Sequence, residues 1–134
     1  MALTDAQVGG VLKMASESFR VLLAGAVVKG DLIGFATGWK RALATTGTAI
    51  QGKYIAGEDG AIGDTITVYS EAVLSGRITG ATPGGAVYGA EGTSNGMYTE
   101  SAPATGGDCN KIVGYILSAT ELHLFPCARA DSVA

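Results

Sequence analysis

The sequence predicts an all-β domain, a small barrel or sandwich of about eight to ten short strands led by an extended N-terminal arm. Three observations predict it. Glycine supplies 21 of the 134 residues while only 16% are charged, so turns are frequent and the elements between them short. Short apolar runs repeatedly follow a glycine-containing turn: Lys29-Gly30-Asp31 before Leu32-Ile33-Gly34-Phe35, Ala61-Ile62-Gly63-Asp64 before Thr65-Ile66-Thr67-Val68, and Thr82-Pro83-Gly84-Gly85 before Ala86-Val87-Tyr88. Glycine accepts positive φ there without a Cβ clash, and Asp can bond its own backbone. The last long apolar segment, residues 112–117, is joined by Ser118-Ala119-Thr120 to residues 121–126, which reads as a hairpin.

The division expected is an arm over residues 1–18, a barrel over 19–128 and a loose polar tail over 129–134. In the arm, Thr4 and Gln7 have capping-box spacing, and Val8, Val11, Leu12 and Ala15 fall near a helical stripe. Gly9-Gly10 interrupts that stripe at a cost of about 2 kcal/mol to a helix. Two readings stay open: a frayed terminus, or an arm that orders on a neighbouring subunit through Leu3, Val8, Val11, Leu12 and Met14.

Residues 19–24 and 26–28 read as strand, residues 39–44 alternate polar and apolar, and residues 53–56 form another short strand. Gly57-Glu58-Asp59-Gly60 punctuates. Ile66 and Val68 share one face of their strand, with Thr65, Thr67 and Tyr69 on the other. Residues 72–74 lead to Gly76, a bulge or barrel corner. Gly92-Thr93-Ser94-Asn95-Gly96 is a hairpin tip, and residues 101–109, with Pro103, Gly106 and Gly107, form an exposed loop. In the terminal hairpin, pairing Ser118 with Glu121 would set Leu117 opposite Leu122, Tyr115 opposite Leu124 and Val113 opposite Pro126 on one buried face. Ile112, Gly114, Ile116, His123 and Phe125 would then share a second face, apolar enough to need covering as well.

A net charge of -3 with scattered Lys and Arg offers no basic stripe for phosphates, so nucleic acid is not an expected partner. No apolar run reaches the roughly 18 residues of a membrane span, and no signal peptide is recognisable. Synthesis in a cytoplasm is expected, with Cys109 and Cys127 made as thiols. The hairpin register places them about three residues apart along the ladder, which disfavours an internal disulfide. Inert thiols, an intermolecular disulfide through Cys109 or Cys127, and an internal one should Gly106-Gly107 bend the chain back remain the alternatives.

The pattern nominates no catalytic, cofactor-binding or metal-binding residue, and the chain is not expected to be an enzyme. His123 is the one histidine, and Cys127 lies about 13 Å further along an extended strand, too far to share a proton. A zinc site lacks a close-spaced cysteine pair, Glu58-Asp59-Gly60 lacks the alternation of a calcium loop, and the Gly-Lys at 52 and 53 lacks a phosphate-loop context. Trp39, Tyr54 and Tyr98 could make a carbohydrate platform if exposed side by side; core or interface packing is the plainer reading.

Leu74-Ser75-Gly76, Ala81-Thr82-Pro83-Gly84-Gly85-Ala86-Val87-Tyr88, Thr99-Glu100-Ser101-Ala102-Pro103 and residues 113–122 together resemble bacteriophage capsid decoration (cement) proteins and the related head-fibre or tail-associated virion barrels. The resemblance spans roughly residues 22–126. It implies a structural virion protein that binds the assembled major capsid protein lattice on the outer capsid surface, self-associates as a homotrimer and stabilises the capsid. A head-fibre or tail-associated role is the alternative within that class, and a carbohydrate-binding module the alternative outside it.

Overall fold

The computed structural model describes residues 11–134, so Leu3 and Val8 lie outside the described residues. Among these, nine strands form one strongly curled antiparallel sheet, a half-barrel, as the all-β expectation requires. They are β1 (Val11–Leu22), β2 (Leu32–Phe35), β3 (Trp39–Arg41), β4 (Tyr54–Ala56), β5 (Thr65–Ser75), β6 (Ala86–Gly89), β7 (Tyr98–Thr99), β8 (Gly114–Ser118) and β9 (Glu121–Leu124).

The organising strand is β5. Its alternation buries Ile66, Val68, Ala72 and Leu74, the period-two signature of a strand with one face in the core. β1 runs along one edge of it from Val11↔Ser75 to Leu22↔Thr65. The other edge is shared: β4 pairs with Val68 and Tyr69, and β9 with residues 72–75. From there the sheet runs one way through β4, β2 and β3 and the other way through β9, β8, β6 and β7. The interval at Ser70 and Glu71 has neither partner on that edge, and a 3-10 turn (Pro126–Ala128) packs beside it.

The buried residues form two clusters. One gathers Leu32, Ile55, Leu74, Val87, Tyr98, Val113, Ile116, Leu122 and Leu124, with Leu12 against it. The other holds Val21, Leu23, Val27, Ile33, Ala56, Ile66 and Val68, flanked by Trp39 and Tyr54. A buried polar network ties the first turn to the core. Asp31 accepts from Arg77 Nη2 at 2.6 Å, from Arg41 Nε at 2.7 Å and from the Val28 amide at 2.8 Å. The Tyr98 hydroxyl donates to the Gly30 carbonyl at 2.7 Å. Each buried group thereby meets a partner, as burial demands.

Three expectations are corrected. Residues 11–18 are not a free arm: they are the first two-thirds of β1, paired with residues 69–75 of β5. Their polar run Ser16-Glu17-Ser18 hides the strand period, and two irregularities break it. One is a bulge at Lys13, whose ammonium binds Glu121 at 2.7 Å; the other is Glu17, at φ 55°. The tail is not loose. Asn110 N donates to Ser132 O (3.1 Å), Ala134 N to Asp108 O (2.8 Å) and Gln51 Nε2 to Ser132 O (2.8 Å), while Asp131 accepts from Lys53 at 2.6 and 2.8 Å.

The third correction is the hairpin register. Ser118 does pair with Glu121, but a bulge at Leu117 shifts the ladder to Ile116↔Leu122, Tyr115↔His123 and Gly114↔Leu124. A one-residue slip exchanges faces. Ile116 is therefore buried while Tyr115 and Leu117 stand outward at 40% and 55% exposure. Gly114 is required here, because a Cβ would fall 2.2 Å from the His123 carbonyl oxygen.

Candidate interaction surface

Directly paired residues of neighbouring strands point to the same side of a sheet. The registers Tyr115↔His123, His123↔Val73 and Val73↔Met14 therefore align four side chains in a row across β8, β9, β5 and β1. Met14 is 39% exposed, and Leu117 lies beside the row on β8. Phe125 flanks it, its ring centroid 5.7 Å from Tyr115 and 5.4 Å from His123. The result is an outward apolar and aromatic face that no described residue covers. Scattered exposed hydrophobics are ordinary, but a contiguous set of this kind marks an interaction site.

His123 was expected on a covered face. No described residue covers it: its side chain is 36% exposed, and Nε2 lies 2.5 Å from Glu71 Oε2. Glu71 is 52 positions away in sequence and projects from β5, so no local motif pointed to it. Past Glu71 the face gives way to a cleft at the unpaired interval of β5. Glu17, Ser70, Glu71, Phe125, Cys127 and Ala128 line a volume of about 230 Å³. Ser70 Oγ lies 3.2 Å from Glu17 Oε2 and 3.3 Å from the Ser16 carbonyl.

The candidate arm anchors separate. Val11 is paired with Ser75, Leu12 packs on the larger core cluster, and Met14 joins the outward row. The thiols are both free. Cys109 is buried, its sulfur 3.7 Å from the Leu43 carbonyl, and burial raises its pKa; Asp131 and Asp108 add to the rise. That leaves Cys127 as the exposed thiol. It sits beside Tyr54, whose pKa is raised by burial and then by the thiol.

The carbohydrate triad divides as well. Tyr98 is fully buried, and burial pushes its phenol far above the ordinary value. Trp39 and Tyr54 do lie together, 5.5 Å between centroids, inside a line Phe19–Tyr54–Trp39–Phe35 with end spacings of 5.4 Å. Their planes are inclined by 45°, 50° and 79°, so two pairs are tilted and one is edge to face, and the rings do not form a flat platform.

Among the described residues, no group of three His, Cys, Asp or Glu side chains could hold a metal ion, and no helix is long and apolar enough to cross a membrane. Comparison with protein-family models, with curated proteins and with solved structures returns no match.

Proposed function

We propose that the chain is a structural virion protein that decorates and cements a bacteriophage capsid, binding the assembled major capsid protein lattice through its outward sheet face. One observation carries the proposal: the row Met14–Val73–His123–Tyr115, extended by Leu117 and Phe125, which no described residue covers. The sequence resemblance supplies the class of partner, the outer capsid location and the trimeric assembly. Such a protein stabilises the shell by mass action, because it binds assembled subunits and not separated ones. Many copies multiply a modest contact. β1 begins at Val11, opposite Ser75 and next to the hairpin end at Glu121, and in this reading the segment before it orders on a neighbouring subunit.

Particles stripped of the protein test the proposal. Added wild-type chain is expected to co-sediment with them, and Leu117→Asp to lose at least about ten-fold in affinity by placing a charge in an apolar contact. Equal binding by the two proteins would refute this face as the contact. The head-fibre or tail-associated role differs only in where on the particle the same face would dock.

A further inference from the structure

We propose that the cleft beside the outward face receives an arginine side chain of the docking partner; this rests on the docking reading above and specifies its chemistry. Charge complementarity points to the occupant. Glu17 lines the cleft from a backbone at φ 55°; its carboxylate accepts from the Ser70 hydroxyl at 3.2 Å, and among the described residues no salt bridge neutralises its charge. The nearby cations of β1 are committed elsewhere, Lys13 to Glu121 and Arg20 to Glu58 and Thr67. The second carboxylate, Glu71, is held by His123 at 2.5 Å. The Phe125 ring forms an aromatic wall and also touches the outward row.

A guanidinium matches this arrangement. It is planar, pairs with a carboxylate through parallel N–H bonds, and stacks on an aromatic face. A lysine ammonium would use the charge and leave the ring without a planar partner. A divalent cation would need a ligand set that the described residues do not assemble. The cleft opens at the side of an apolar face, so the partner offers an arginine flanked by apolar side chains. The chain's net charge of -3 favours such a basic partner at long range.

The test uses the full chain and a pair of isosteres. In NMR titrations, N-acetylarginine amide is expected to shift the amides of Glu17, Ser70, Glu71 and Cys127 saturably. The neutral N-acetylcitrulline amide should bind at least about ten-fold more weakly, as should N-acetylarginine amide to Glu17→Gln. Equal responses to the two amides, shifts scattered outside the cleft, or none at all would overturn the proposal. A self-association lost in Arg129→Gln would overturn it too, placing a second copy of this chain in the cleft. The two readings fail separately: if Leu117→Asp weakens particle binding while Glu17→Gln does not, only the arginine inference falls, whereas equal particle binding by Leu117→Asp and wild type removes the docking reading.

Discussion

Removing the Asp31 carboxylate would take the 2.6 Å counter-charge from Arg77, whose side chain is 1% exposed, and the 2.7 Å partner from Arg41. A buried pair broken from one side removes the counter-charge that offset the desolvation of the other, and that costs about 3–5 kcal/mol. Asp31→Ala is therefore expected to lower unfolding free energy by that amount in urea titrations; a loss below about 1 kcal/mol would contradict the buried network. The local half of this role was legible, since Asp31 bonds its own turn at the Val28 amide as a turn aspartate should. The distant half was not, because Arg77 arrives from 46 positions away. The thiols give a second prediction at this scale. Cys127 should alkylate rapidly in the native protein and Cys109 only on unfolding. Two equally fast thiols in mass-spectrometric time courses would contradict the burial of Cys109.

At the scale of elements, the terminal hairpin shows how far periodicity carries. Its strands, its turn and the closing pair Ser118↔Glu121 were readable, and so was the burial of Leu122 and Leu124. The face of β8 was not. One extra residue at Leu117 exchanges the faces of Tyr115 and Ile116, although Val113 before them is buried as expected, and no residue in that apolar run announces a bulge. Gly114→Ala tests the resulting register. A Cβ there meets backbone at 2.2 Å, so overpacking should cost at least about 1–3 kcal/mol, read by thermal unfolding; unchanged stability would mean another register. Residues 11–18 of β1 were missed for a related reason, while residues 19–22 were read as strand. The alternation of β1 is broken at Lys13 and Glu17, and what holds it is the long edge of β5. Deleting residues 1–18 would thus strip most of a strand.

The tail has its own pH dependence. Partial burial works to raise the Asp131 pKa, but hydrogen bonds from Lys53 and Lys111, with their charges, outweigh it and hold the carboxyl below its ordinary value. A depressed folded pKa means stabilisation that is complete above the unfolded value of about 3.9 and is lost as pH falls through the folded one. The amide of Asn110, bonded to Ser132, should hold its chemical shift from neutral pH to about pH 4 and move toward an undocked value below that. Asp131→Asn should remove this transition. A transition that persists in the variant would assign it to another carboxyl.

For the whole molecule, composition and turn chemistry sufficed for the class: many glycines, few charges and short apolar runs give a curled antiparallel sheet. They could not reveal that β5 carries β1 on one edge and two separate wings on the other, because strand partners are chosen by long-range packing. The outward face was foreseen in kind, as an apolar second side of the hairpin, and mistaken in membership: Ile116 turns inward while Tyr115 and Leu117 turn out. Its central role is most directly tested by reconstructing, at side-chain resolution, virus particles that carry the chain. The account predicts Met14, Tyr115 and Leu117 seated against capsid subunits. The same three side chains facing solvent on a particle bound through another surface would contradict it.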